Sequence, residues 1–587
     1  MYKVEINNLI YNHLKVKNDK LYITGSNPYF QIPSNKYVSL LKLDLDKGSE
    51  GFQLYATDDK GNVYQTYNSN SDVKNFVYIK INKNIKNMKF HIKMNNNGKY
   101  LGIQSITINN KFYFNIIRFL IVLVVLYLLL ALVVYKNFLS KNIHIAFLII
   151  SLTLGTLISI CVPPYYSYDE CAHFIRAYET GSFNFNFSKD KTSKWVSNID
   201  EFFSYTGHDG IYNLYKDRVS NAEIFFNNDY SNIKHVGSPE DTYLFVPYIP
   251  SAVGILIGKI LRLPFMLTFY LGRVFSLLAY SLLGTLIIKH IKIAKRLIFM
   301  ILLFPSVLLS AGAYSVDPMT IILSISSMAI FVNMMCAKEN SIGYKKIIGL
   351  VGCTALTAMC KVPYTPLILV IFAVPNVKFK NYKNGKIVFI KFLSLVPVGL
   401  AAAGTFLYGL SKDINQWKIP GVNVKEQILF IVNDLPRYIH VVYNHTATNL
   451  LSNIQNSIAA LAYCGVIDSI WALAIIISLF TVAFSDDESD ILNLGKKEKI
   501  IILLSIILSW GLAITALYIT FTPVGKYGID GFQGRYIIPL LLPILLLFKN
   551  NKISNKFKKE NLNYVIIFEF VFILIITIVK IFLEYNN

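Results

Sequence analysis

The run IIRFLIVLVVLYLLLALVVY, residues 116–135, decides the fold of this chain. Its single charge is Arg118, near the start. A helix of roughly 20 predominantly apolar residues is what the hydrocarbon core of a bilayer demands. A second run of this kind, IIILLSIILSWGLAITALYI, begins at Ile500 and carries no charge at all. One large soluble core does not need repeated runs of such length. Composition agrees: 54% of the 587 residues are hydrophobic and 16% charged, where soluble domains carry about 25% charged residues. The chain is an integral membrane protein, and any chemistry it performs happens at a membrane face.

Working outward, apolar segments recur at 114–135, 144–162, 243–261, 265–288, 296–314, 318–336, 346–360, 362–376, 386–410, 467–485, 498–521, 536–549 and 563–583. That predicts about thirteen spans, the short pieces being the weakest. Two polar stretches interrupt them, 163–241 and 411–466. The first is too long for a passive turn, and long loops in compact proteins are usually functional. Lys and Arg collect in cytoplasmic loops. Lys136–Asn142, KHIKIAKR from Lys289, KFKNYKNGK from Lys378, GKKEK from Gly495 and KNNKISNKFKK from Lys549 all read that way. Both polar stretches then lie outside. Counting forward from Lys136 and backward from the C-terminus disagrees by one crossing between 243 and 296, so either one segment there is re-entrant or a span is hidden in the first loop.

Residues 1–112 differ from the rest, being polar and rich in Asn, Lys and Tyr. Met88, Phe90, Ile92 and Met94 alternate with Lys89, His91, Lys93 and Asn95, the period of a half-buried strand. Turn signals such as DDKGN from Asp58 and NNNGK from Asn95 separate strand-length runs. About eight short strands predict a β-sandwich, either a carbohydrate binder using exposed Tyr or a spacer. The domain should lie outside the membrane, yet no signal peptide precedes it, so a span upstream of Met1 is expected.

Net charge is +22. Positive-inside bias accounts for much of it, and attraction to anionic lipids or lipid-linked phosphates is the sharper reading. Nucleic acid is excluded as a partner, because the basic residues are scattered among spans rather than gathered in one patch. The six cysteines form no C-x-x-C pair and read as small core residues. P-loop, dinucleotide-binding and serine-hydrolase signatures are absent.

The strongest chemical signal is PPYYSYDECAHFIRAYETGSF, from Pro163. Asp169, His173 and Arg176 fall on one helix face, with Glu170 beside them. Acidic residues at a helix start also serve as caps. Against capping alone, two carboxylates, a His and an Arg are costly to place at a membrane boundary without a use, and a carboxylate is what a general base needs. The second signal is GKYGIDGFQGRYIIPLLLP, from Gly525. Its Gly-rich loop leads to Gln533, Arg535 and Tyr536, and an Arg fork grips phosphate in a bidentate way. Interfacial anchoring by Arg and Tyr is the alternative. The third is Lys361 in AMCKVPYTP, a cation inside an apolar stretch, either functional or snorkelling. Asp317 and Asp468 read as lone acids at outer span ends, each a possible cap. Arg437, His440 and His445 are weak candidates for substrate contacts. No residue set carries metal-ligand spacing, although two carboxylates allow a divalent cation without demanding one.

The pattern PP…S-x-D-E-x-x-H-F…R-A-Y after an early span, with Q-G-R-Y-x-x-P before a late one, resembles a large bacterial family of multi-pass membrane proteins of unknown function, the domain-of-unknown-function 2142 type. G-x-x-D at Asp468 and K-x-P-Y at Lys361 match the same pattern. The resemblance covers roughly residues 144–549, and the N-terminal β-domain departs from it. That family is in turn similar to the GT-C glycosyltransferases, which take sugar from a polyprenyl-phosphate donor and pass it to an acceptor with inversion. Carried over, the resemblance implies Asp169 as base, Glu170 as its partner or a metal contact, and His173 beside them. Lys361 and Arg535 would hold the donor phosphate, with Gln533, Tyr536 and Arg176 around them. The implied acceptor is an envelope glycan or glycolipid at the outer face of the bacterial cytoplasmic membrane. Two other readings stand beside it. A non-enzymatic carrier for envelope polysaccharide would need charges linking both membrane faces. A glycan sensor would show no organised pocket at Asp169.

Overall fold

The structure is a computed structural model. It describes residues 2–5, 8–17, 20–45, 52–58, 61, 63–69, 76–94, 100–101, 103–109, 116–183, 192–193, 230, 233–234, 242–380, 383–411, 419–485, 494–549 and 557–585. The NNNGK turn, much of DDKGN and most of 184–241 lie outside these residues. Contacts divide the chain into two compact units, with the first break after Val122.

The N-terminal unit is built of strands. Twelve are described: β1 (Tyr2–Val4), β2 (Ile10–Asn12), β3 (Leu14–Lys17), β4 (Lys20–Ile23), β5 (Tyr29–Gln31), β6 (Tyr37–Leu45), β7 (Phe52–Thr57), β8 (Val63–Ser69), β9 (Phe76–Asn84), β10 (Lys89–Met94), β11 (Tyr100–Leu101) and β12 (Ile103–Asn109). They form antiparallel sheets in the orders β1-β12-β6-β9, β2-β5-β10-β7-β8 and β11-β4-β3. The alternation read from sequence holds in β10, where Phe90 and Ile92 are buried while Lys93 is exposed. Phe30, Leu54 and Phe90 of one large sheet share a hydrophobic cluster with Leu41, Leu43, Ile106 and Ile108 of the other.

The second unit is helical. Among the described residues, six helices are long and apolar enough to cross a bilayer: Ile143–Cys161, Phe265–His290, Asp317–Met335, Asn384–Leu410, Lys496–Thr520 and Lys559–Leu583. Shorter apolar helices include Arg118–Val134, Ser469–Ser485 and Gly534–Leu547. Three segments depart from the sequence reading. The expected span 296–314 is two helices, Lys295–Leu302 and Pro305–Ala311, because Pro305 has no N–H to continue the first. Residues 411–466 are not simply a loop. They contain helices Val424–Asn433 and Leu435–Ala459, whose starts are fixed by Asn423 accepting from Lys425 N and Glu426 N, and Asp434 from Arg437 N.

The third departure is the helix Ile249–Ile260, only 12 residues long. At 1.5 Å per residue it reaches about 18 Å, well short of a roughly 30 Å core. Tyr248, at its start, bonds His173 at 2.8 Å, and Lys259, near its end, donates to Ser182 Oγ at 2.8 Å. Both ends are thus tied to the same segment, 173–182. Were it left out of the crossings, the two Lys/Arg walks would agree.

Candidate functional site

The sequence PPYYSYDE must leave a helix and start another within a few residues. Pro163 and Pro164 end Ile143–Cys161, and the next helix runs Glu170–Thr180. The turn between them holds Tyr165 and Asp169 at φ of 69° and 55°, a region that costs free energy for residues with a Cβ.

Glu170 organises this turn. Its carboxylate accepts from the Tyr165 backbone N–H at 2.8 Å and the Tyr314 N–H at 3.1 Å. Arg273 grips it with a fork, Nε to Oε1 at 2.8 Å and Nη2 to Oε2 at 2.7 Å. The remaining Arg273 N–H groups donate to the carbonyls of Ser159 (2.9 Å), Val162 (2.8 Å) and Pro163 (3.0 Å). Those are the orphan carbonyls at the end of a helix. All five guanidinium donors are therefore spent, and Glu170 is buried with its partner. This corrects the expectation for Glu170: it shapes the turn that presents Asp169 and is not open to a metal or substrate. Arg273 was not singled out in the sequence, although a lone Arg inside the apolar stretch FMLTFYLGRVFSLL is a costly residue that calls for a partner.

The second charged centre joins segments far apart in the chain. Asp317, first residue of its helix, takes Lys361 Nζ on Oδ1 at 2.5 Å and Arg535 Nη1 on Oδ2 at 2.9 Å. Arg535 Nη2 lies 3.8 Å from Asp169 Oδ2. Lys361 stands over the Tyr536 ring at 4.6 Å, and Arg535 over Tyr168 at 4.6 Å, each a cation–π contact. Asp317, read as a lone cap, is thus the shared counter-ion of both cations. Tyr364 Oη donates to the Tyr536 carbonyl at 2.9 Å, tying the Lys361 segment to the QGRY turn. Gly534 brings that turn against the backbone of Leu435–Ala459. A Cβ there would stand 2.4 Å from Asn453 O and 2.6 Å from Ser457 N.

Of the two acids, Asp169 is the accessible one, its side chain 36% exposed against 7% for Asp317. Burial raises the Asp169 carboxyl above its ordinary range while Arg535 pulls the other way. His173 Nδ1 pairs with Tyr248 Oη at 2.8 Å. Burial, with Arg535 adding to the effect, holds it down at about 3, so it is neutral at physiological pH. Arg176 is committed to Glu179 (3.2 Å), the Tyr243 carbonyl and Tyr408 Oη (3.3 Å). This corrects its expected place at a donor phosphate, because those bonds lock the 170–180 helix to its neighbours. Arg437 stacks on Tyr527 at 4.7 Å and His445 is buried beside Phe532, outside the charged cluster. No three His, Cys, Asp or Glu side chains gather as a metal site among the described residues.

A cavity of about 220 Å³ adjoins the cluster. Ser167 and Tyr168 line it beside Asp169, with Asp317, Arg535, Gln533 and Asn453.

No curated protein and no solved structure matches the chain. A family model described as "Predicted membrane protein (DUF2142)" matches residues 152–544, a stretch that contains the whole cluster from Asp169 to Arg535. The chain belongs to this family of predicted membrane proteins, DUF2142.

Proposed function

We propose that this protein is an inverting, GT-C-like membrane glycosyltransferase. It moves a sugar from a polyprenyl-phosphate donor to an envelope glycan or glycolipid at the outer face of the bacterial cytoplasmic membrane. About thirteen apolar segments, the short ones included, make up its membrane domain, of which one returns without crossing. The N-terminal strands form an external β-sandwich that holds the acceptor glycan.

The observation that carries the reading is the convergence of Asp169, Lys361 and Arg535, an accessible acid and two cations joined through Asp317 and Arg535, which line a cavity. An acceptor hydroxyl oxygen attacks the anomeric carbon from the side opposite the phosphate. Its proton passes to Asp169, and the electron pair of the breaking carbon–oxygen bond goes to the phosphate oxygen. The donor phosphodiester carries one negative charge and the leaving phosphate two, while Asp169 loses its own. Net charge in the site is conserved, so the step asks for no new counter-ion. Lys361 and Arg535 stabilise the departing phosphate, a contribution that grows where water is excluded. A raised carboxyl pKa suits a general base working near neutral pH. The gathering of these charges at one place, rather than along a path between two faces, favours the enzyme over the carrier.

The test is turnover of polyprenyl phosphosugars by the purified protein beside its Asp169→Asn variant. A general base contributes about 10²–10⁴-fold, so the variant should lose that much rate while binding donor nearly as well. Equal rates in both proteins, or no consumption of any lipid-linked sugar, would overturn the reading.

A further inference from the structure

The cavity beside Arg535 has a chemistry of its own. Asn453 is buried and its Nδ2 has no protein partner. Gln533 Oε1 and Arg535 Nε are likewise buried and unpartnered. All three residues line the cavity. Ser306 and Ser310 line it too, each spending its hydroxyl proton on a backbone carbonyl, of Ser457 and Val307, and so each keeping lone pairs to accept with. Buried polar groups are nearly always paired in native proteins, so a cluster of exceptions calls for an explanation.

The ligand that would satisfy this lining must both donate and accept. An apolar prenyl chain does neither. A phosphate only accepts once ionised, and it would face Gln533 Oε1 and the Asp317 carboxylate. A hydroxyl does both, and an amide end meets it in either orientation. The volume of about 220 Å³ lies below the roughly 300–1,000 Å³ of drug-sized sites. That size suits a ligand of about one ring.

We infer that this cavity is a monosaccharide subsite, in which Asn453 and Gln533 bond the hydroxyls of the donor's sugar while its phosphate lies against Arg535 and Lys361. The inference rests on the donor reading above and names the residues that select the sugar. The base is adjacent by construction, since Ser167 and Tyr168 of the lining immediately precede Asp169.

The test is a binding comparison on the full-length protein in lipid nanodiscs. The probes are bare polyprenyl phosphate and polyprenyl phosphoglucose, phosphogalactose and phosphomannose. The wild type should bind at least one phosphosugar tighter than bare phosphate. Asn453→Ala should cut that preference about tenfold while leaving the affinity for bare phosphate unchanged, and Gln533→Ala should cut the preference as well. The unchanged affinity also reports an intact fold. Asn453→Leu, which fills the cavity with an apolar group, should abolish the preference. If bare phosphate binds but the sugar adds nothing, or the preference survives all three variants, the cavity holds water only. The inference then falls and the donor reading stands. If no probe binds, the donor reading itself fails and takes the inference with it.

Discussion

Two of the buried ion-pair centres among the described residues are built to opposite specifications. In the Glu170–Arg273 pair every guanidinium N–H has an acceptor and the carboxylate has backbone donors besides. In the Asp317–Lys361–Arg535 cluster the Arg535 Nε has no partner, and Asp169 stands off at 3.8 Å. The first has nothing left to offer a ligand. The second holds cations in reserve, oriented by Asp317 and by aromatic rings. Full satisfaction suits a structural pair, and an unfinished one suits the proposed site.

The comparison breaks first at Arg273. Arg273→Ala would leave Glu170 buried and uncompensated, an arrangement that costs about 3–5 kcal/mol. The variant should show a large fall in melting temperature in detergent and poor recovery as a monodisperse protein. A melting temperature close to wild type would put the pair among those that contribute nothing. Arg535→Ala removes a charged donor too, yet Lys361 still holds Asp317. Its main effect should be a tenfold to hundredfold loss of affinity for polyprenyl phosphate, from an interaction of about 1.5–3 kcal/mol. A stability loss as large as that of Arg273→Ala would erase the distinction between the two centres.

Two smaller effects sharpen it. Gly534→Ala would press a Cβ into the backbone of Asn453 and Ser457, a crowding of about 1–3 kcal/mol. It should lower melting temperature and phosphate affinity together, because Arg535 follows directly in the chain. Unchanged affinity in this variant would separate the Gly contact from the site. His173 gives a pH signature. In the unfolded chain it takes a proton below about 6.5, in the folded protein only near 3. The unfolded state binds more protons between those values, so stability falls as the pH drops through that window. The loss between pH 6.5 and 5.5 should be about 1 kcal/mol, and His173→Gln should flatten it in melting curves taken across that range.

Much of this could be read from the sequence, for physical reasons that also explain what could not. Apolar runs reveal spans because burial in lipid leaves no alternative to a helix. Asp169, Lys361 and Arg535 stood out because charge near a bilayer is costly. Asp317 and Arg273 carry the same signal less legibly, since a single acid at a helix start has a cheaper explanation as a cap and a partner over 100 residues away leaves no local trace. The helix Leu435–Ala459 was hidden for the opposite reason. Its Asn, His, Thr and Ser residues read as loop, and its start depends on Asp434 and Pro436 rather than on an apolar period.

The segment Val362–Ala373, just after Lys361, is a 12-residue 3-10 helix. Such a coil rises about 2.0 Å per residue, against about 1.5 Å in an α-helix. Its 12 residues therefore reach about 24 Å where an α-helix would reach about 18 Å. A stretch with too few residues to span lipid in the ordinary way gains length by being wound more tightly. Pro366, inside the segment, has no amide hydrogen to give an α-helical ladder, while Pro363 stands in the first turn, where none is used. The position of Lys361 thereby becomes a matter of pitch. Rewinding this one segment as an α-helix would draw its ends together by about 6 Å, more than twice the 2.5 Å that separates Lys361 from Asp317.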